Sequence, residues 1–166
     1  MINLEELAKF LVRAKKATYA GEGMEATPER PGFKELEFIE GDWIYRDSYV
    51  GFFRAPGQEV VRFRGEPVWT MSYDGGMMLD FRDDVAFAGE TFSFLKKALL
   101  QVPEDAPYRG PKGQLVGGRG WVYENGLSFG SDITDFIGHE KIWAQIGGKS
   151  EVVFAQRYIG GLVIPK

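Results

Sequence analysis

Cysteine is absent from the 166 residues. Disulfides, thiolate nucleophiles, iron–sulfur ligation and Cys-based zinc sites are therefore excluded. Histidine is almost absent: His139 stands alone, which removes most remaining metal constellations and any specific Ser/His/Asp triad. No apolar run approaches the roughly 20 residues that a membrane-spanning helix needs. A basic excess is also missing. The 20 Lys and Arg residues are outnumbered by 24 Asp and Glu, for a net charge of −4, without the dense cationic footprint that phosphate backbones require. The expectation is a chain with no metal, no cofactor, no bound nucleic acid and no membrane partner. The segment Met1-Ile2-Asn3-Leu4-Glu5-Glu6 is acidic and amphipathic rather than basic and then apolar, so a cytoplasmic location is expected.

Hydrophobic residues make up 44% and charged residues 27% of the chain, enough for an ordinary core. Aromatics at 14% and 22 glycines favour strands joined by tight turns. Asn3 is a suitable N-cap, and Leu4, Leu7, Ala8, Leu11, Ala14 and Lys15 follow helical spacing, predicting a helix to about Tyr19. A Gly/Pro loop over 21–32 follows. Strand signals then run over Lys34–Glu40, Trp43–Phe53, Gln58–Arg64 and Val68–Tyr73 with short punctuation between them, an antiparallel meander. A second helix is predicted from about Asp84 to Gln101, then a Gly/Pro loop over 107–118. Further strands are expected at Arg119–Glu124, Leu127–Ile133, Glu140–Ile146 and Glu151–Ile159, with Asn125-Gly126 as a hairpin turn.

Self-similarity organises this pattern. Glu6, Phe10, Leu11 and Ala14 meet Glu90, Phe94, Leu95 and Ala98 at an offset of 84. Gly57-Gln58-Glu59 meets Gly138-His139-Glu140 at an offset of 81, and Tyr73 and Gly75-Gly76 meet Tyr158 and Gly160-Gly161 at 85. The reading is an α+β domain spanning 1–166. It consists of two tandem helix-plus-four-strand repeats, about 2–77 and 86–162, related by a pseudo-twofold with a cleft between them.

Strand periodicity sorts the faces. With Arg54–Gly57 as a hairpin turn, Phe52 lies opposite Glu59, Val50 opposite Val61, and Glu59 opposite Tyr73. Val50, Phe52, Val61, Phe63, Trp69, Met71 and Tyr73 then form a core face with Glu59 pointing into it. The other face pairs Asp47 with Arg64 and Tyr49 with Arg62 beside Trp43 and Tyr45, in solvent. Glu140 heads a second apolar row, Ile142, Ala144 and Ile146, and is matched with Tyr158. A carboxylate among aromatics suits a flat cationic ligand or acid/base work. The plainer alternative, favoured for each residue by itself, is that each Glu opens its strand and turns to solvent or accepts from a Tyr hydroxyl. Arg46 either holds an anion or the inward Glu, or snorkels to the rim. His139 and Glu140 point to opposite faces, so a surface histidine is expected. Gly117-Gly118-Arg119-Gly120 and Gly147-Gly148-Lys149 join strands and do not precede a helix N-terminus as a phosphate loop would.

Phe10 to Gly21, Gly41-Asp42-Trp43-Ile44-Tyr45-Arg46-Asp47-Ser48-Tyr49, Gly57 to Val61, Pro67-Val68-Trp69 and Tyr158 to Leu162 together resemble an uncharacterised bacterial and archaeal domain family. Its members occur alone or behind a helix-turn-helix DNA-binding domain. The resemblance implies no known activity, and the association with DNA-binding domains suggests a sensing role.

These observations lead to a non-enzymatic small-molecule binding or sensing module, with Glu59, Tyr73, Glu140, Tyr158, Arg46 and Trp69 at the ligand and no catalytic residue assigned. Two alternatives remain open. One is an acid/base enzyme with Glu59 or Glu140 as base and Arg46 as electrostatic stabiliser. The other is an interaction module that forms a homodimer through Trp43, Tyr45 and Tyr49.

Overall fold

A computed structural model of the chain describes residues 2–21, 23 and 25–166. Met1, and Glu22 and Met24 within the expected 21–32 loop, lie outside the described residues. Helix α1 runs over Leu4–Ala17, capped by the Asn3 side chain accepting from the Glu5 and Glu6 amides at 2.9 and 3.2 Å. Strands β1 (Glu25–Ala26), β2 (Lys34–Glu40), β3 (Trp43–Tyr49), β4 (Gly57–Phe63) and β5 (Glu66–Met77) follow. Helix α2 (Val85–Leu99) starts where Asp84 caps the Phe87 amide at 2.9 Å. Strands β6 (Gly113–Val116), β7 (Val122–Leu127), β8 (Asp135–Ile146) and β9 (Lys149–Leu162) complete an α+β architecture.

Among the described residues, all nine strands belong to one open antiparallel sheet in the order β1-β2-β3-β4-β5-β9-β8-β7-β6. The two meanders join at the centre, where β5 runs antiparallel to β9 with Tyr73 opposite Tyr158. Two-residue turns set the register on both sides. Arg64-Gly65 and Gly147-Gly148 have φ of 54° and 86°, and 57° and 83°, the positive values that let a tight hairpin follow the strand twist.

Both helices cover the same face of the sheet. Leu7, Phe10, Leu11 and Ala14 of α1 pack on Tyr45, Val61, Trp69 and Met71. Ala88, Leu95, Ala98 and Leu99 of α2 pack on Tyr123, Ile142, Ala144 and Phe154. The opposite face is largely open, with Ile39, Ile137 and Ile159 exposed. Among the described residues no helix is long and apolar enough to cross a membrane.

Several expectations about strands are corrected. Strand β3 stops at Tyr49, and Tyr49 pairs with Gly57; residues 50–56 form a loop longer than the expected Arg54–Gly57 turn. The partner of Glu59 is therefore Asp47 rather than Phe52, and that of Val61 is Tyr45 rather than Val50. Trp43, Tyr45, Asp47 and Tyr49 consequently face the helices, while Val50 and Phe52 are exposed. Arg64 pairs with Asp42 at 2.8 Å instead of Asp47. On β5, Glu59 faces Met71, and Tyr73 faces Gly57. Asn125-Gly126 is not a turn but lies inside β7, opposite Glu140 and His139. The Asn125 amide is drawn inward to donate to the Gly110 carbonyl at 2.9 Å. The turn falls instead at 128–134, where the Asp132 carboxylate accepts from the Thr134 amide at 2.7 Å. Strand β6 forms within the expected 107–118 loop and pairs with β7.

Candidate functional site

The inward alternation of β3, β4 and β5 places Asp47, Glu59 and Tyr73 on the covered face, and β7, β8 and β9 place Asn125, Glu140 and Tyr158 there. Their contacts correspond. Asp47 is the cross-strand partner of Glu59, as Asn125 is of Glu140. Tyr73 donates to Asp47 Oδ1 and Tyr158 to Asn125 Oδ1, each at 2.7 Å. Each tyrosine lies opposite a glycine, Gly57 or Gly138. A Cβ there would come 2.4 Å from the Tyr73 hydroxyl or 2.2 Å from the Tyr158 ring, so both glycines are demanded by the ring they admit.

Both inward glutamates meet buried cations. Glu59 accepts from Lys15, on the buried side of α1. Burial pushes the Lys15 ammonium below its ordinary pKa, and Glu59 opposes that shift. Glu140 is fully buried. It accepts from Arg109 Nε at 2.9 Å, from Tyr123 at 2.7 Å and from Gln156 at 3.1 Å. Two carboxylates thus sit within the protein with their charge balanced, which is the condition for burying them at all.

Between the C-terminal end of α1 and the flank of α2 lies a cavity of about 330 Å³, within the range of small-molecule sites. Its walls include Tyr19, Tyr49, Phe52, Phe92 and Phe154, and its floor includes Asp47, Tyr73, Gln156 and Arg109. The rings pack edge to face: Phe52 on Phe92 at 5.4 Å, Phe92 on Phe154 at 6.4 Å and Tyr19 on Tyr49 at 6.2 Å. Lys96 lies 5.5 Å from the Tyr19 ring at the rim and Arg109 lies 5.5 Å from the Tyr73 ring. A smaller cavity of about 20 Å³ lies beside it, bounded by Lys15, Tyr45, Asp47, Glu59 and Arg109. A more open groove of about 950 Å³, lined by Asp74, His139, Lys141 and Arg157, lies on the uncovered face.

Asp47 is the distinctive group at the cavity. Only 4% of it is exposed. Its Oδ1 takes the Tyr73 hydrogen bond, and its Oδ2 has no hydrogen-bond partner among the described residues. Burial, reinforced by the Glu59 charge, pushes its carboxyl up to about 7, against the pull of Tyr73, Lys15 and Arg109. Burial also pushes the Tyr19 hydroxyl up to about 12, so it stays a neutral donor.

The residues singled out from sequence divide. Tyr73 lines the main cavity and Glu59 the smaller one. Glu140 lies behind Arg109, and Tyr158 is buried against Asn125. Trp69 is fully buried, stacked on Phe136 at 5.6 Å and donating to the Ile133 carbonyl at 3.1 Å. Arg46 points to the other side of the sheet, where it binds Glu35 at 2.5 Å, Glu29 at 2.6 Å and the Thr27 carbonyl at 2.8 Å. It clamps the 27–29 segment over Glu35 and Ser48 and is not brought together with Glu59 or Glu140. Tyr45 is buried under α1, so the Trp43/Tyr45/Tyr49 face is turned inward. Asp47, Arg109, Tyr19 and Phe92 were not picked out from sequence. The available signal was the match of Tyr45-x-Asp47 with Tyr123-x-Asn125, which shares the order of the other matched pairs. Among the described residues no three His, Asp or Glu side chains converge as a metal site requires.

No curated protein and no solved structure matches the chain. Residues 47–163, from the cavity aspartate to just past the last strand, match a family described as a domain of unknown function, DUF5680, and the chain belongs to that family.

Proposed function

We propose that the protein is a non-enzymatic small-molecule binding module, built by duplication of a helix-plus-strands unit, whose ligand occupies the cavity between the two copies. The observation that carries this reading is the cavity itself. Aromatic walls from Tyr19, Tyr49 and Phe52 and from α2 and β9 enclose a floor where Asp47, Tyr73, Gln156 and Arg109 converge. Apolar walls with a few convergent polar groups are the usual composition of a ligand site. The duplication is supported by the sheet order, which reads alike from both ends toward the β5–β9 pair, and by the matched Gly/Glu/Tyr contacts at Gly57, Glu59 and Tyr73 and at Gly138, Glu140 and Tyr158. Glu59 and Glu140 serve the site from behind by holding Lys15 and Arg109. A sensing role alongside a helix-turn-helix domain, as the family resemblance implies, fits a module that binds and does not react.

The test is a thermal-shift screen of a fragment library, with hits mapped by amide chemical shifts. Binders are expected to raise Tm and to perturb Phe52, Phe92 and Phe154. Ala55→Phe, which fills the cavity from its wall, should abolish the shifts. A screen with no binder, or with binders indifferent to Ala55→Phe, refutes the reading.

A further inference from the structure

We propose that the cavity takes a zwitterion, an α-amino acid with a large apolar side chain, whose ammonium meets Asp47 and whose carboxylate meets Arg109. This rests on the cavity being a ligand site. Two side chains at its floor are buried, charged and incompletely bonded. Asp47 uses one oxygen on Tyr73 and leaves Oδ2 without a hydrogen bond. Arg109, 8% exposed, directs Nε and Nη2 to Glu140 at 2.9 and 2.7 Å. Its Nη1 has no hydrogen bond among the described residues. Both residues line the main cavity and the smaller one, and the Arg109 charge acts on Asp47. They nevertheless form no ion pair with each other.

A carboxylate and a guanidinium that share a cavity floor without touching leave an acceptor and a donor for something between them. A solute bearing both complementary charges satisfies them together. A lone cation would neutralise Asp47 but stand against Arg109. A lone anion would suit Arg109 but stand against Asp47, and the Glu59 charge behind it would add to the mismatch. A zwitterion meets both and brings no net charge into the site. The remaining volume is bounded by Phe52, Phe92, Leu95 and Phe154, which favours an aliphatic or aromatic side chain over a polar one. The scale agrees: about 330 Å³ admits a molecule of roughly a dozen heavy atoms, as the usual range of pockets for larger ligands implies.

The experiment titrates the full chain with each of the twenty L-amino acids, and with phenethylamine and 3-phenylpropionate as half-ligands of L-phenylalanine, by calorimetry and amide chemical shifts. At least one apolar amino acid, with L-phenylalanine the first probe, is expected to bind. Each half-ligand should bind at least tenfold more weakly than L-phenylalanine. Asp47→Asn, which keeps the Tyr73 acceptor in the way that Asn125 serves Tyr158, should weaken the amino acid at least tenfold and leave 3-phenylpropionate unweakened. Arg109→Lys should weaken 3-phenylpropionate more than phenethylamine. Half-ligands that bind as tightly as the amino acid, or an amino acid indifferent to Asp47→Asn, overturn the zwitterion while the cavity stands as a ligand site. If no amino acid binds, the inference fails even where the fragment screen finds other occupants. If that screen is also empty, the site itself falls.

Discussion

Asp47 carries a proton cost that its counterpart Asn125 does not. In the folded chain its carboxyl is held up to about 7, first by burial and then by Glu59 on β4, against Tyr73 on β5, Lys15 on α1 and Arg109 after α2. Its ordinary value is 3.8. Between those values the folded protein keeps a proton that the unfolded chain releases, so stability falls as pH rises through that window. The limit is about 1.4 kcal/mol for each unit of pH. Below the lower value both states are protonated and the penalty vanishes; above about 7 it is fully developed. Asp47→Asn removes the ionisation and keeps an acceptor for Tyr73. It is expected to stabilise the protein by about 1–3 kcal/mol at pH 8 and hardly at all at pH 4. Urea denaturation at the two pH values measures it. A variant no more stable than the parent at pH 8 would show that the Asp47 carboxylate is already compensated in the native state. At this scale the sequence exposes the inward acids but not their partners. Glu59 and Glu140 are legible because strand alternation puts every second residue on one face. Lys15 is legible as a member of the apolar stripe of its helix, but nothing local says that it, or a loop arginine such as Arg109, ends up over those carboxylates.

Register decides the elements, and one loop length decides how much of the register sequence can supply. Residues 50–56 form a longer loop than a four-residue turn, and the partner of Glu59 moves from Phe52 to Asp47. A shift of that odd number along β3 inverts its faces. This is why Asp47 and the aromatic row around it read from sequence as solvated, although they line the cavity. Strands β4 and β5 keep their faces because the odd shift made by the Arg64-Gly65 turn is followed by a one-residue irregularity between Val61 and Arg62, which leaves the rest of their pairing displaced by an even step. The Asn125-Gly126 signal failed for a different reason. A buried amide bonded to the Gly110 carbonyl and the Tyr158 hydroxyl outweighs a local turn preference. The glycines opposite the tyrosines give this scale its test. At Gly138 the φ is unremarkable, and the constraint is space alone: a methyl there would meet the Tyr158 ring at 2.2 Å. Gly138→Ala is expected to cost about 1–3 kcal/mol. Much of that cost should disappear in a Tyr158→Ala background, where the ring is gone. A double-mutant cycle reads the coupling. Additive effects would mean that the glycine is required for some reason other than the ring.

For the whole molecule, one helix and one meander in each half of the chain raise the question of whether each half folds alone. The packing argues against it. The cluster under α1 contains Phe136 and Tyr158 from β8 and β9, together with Tyr108 from beyond α2, which stacks on Phe136 at 4.0 Å. The cluster under α2 contains Ala20 and Met77 from the first half of the chain. Arg109 ties Glu140 on β8 and lies over Tyr73 on β5. The β5–β9 ladder runs from Trp69 opposite Leu162 to Met77 opposite Phe154, so separation would expose two long central edges at once. An exposed hydrogen-bonding edge beside an unfilled core is unstable in isolation. The intact protein is therefore expected to melt in one step, with calorimetric and van't Hoff enthalpies equal. Fragments 1–82 and 83–166 should each lack the near-ultraviolet circular dichroism of packed aromatics, and regain it on mixing if the β5–β9 edges find each other. Two resolved transitions, or a fragment that retains packed aromatics alone, would make the cavity a junction between independent domains. Its walls could then move apart without unfolding, and the buried Asp47 and Arg109 would be exposed to water whenever the junction opened.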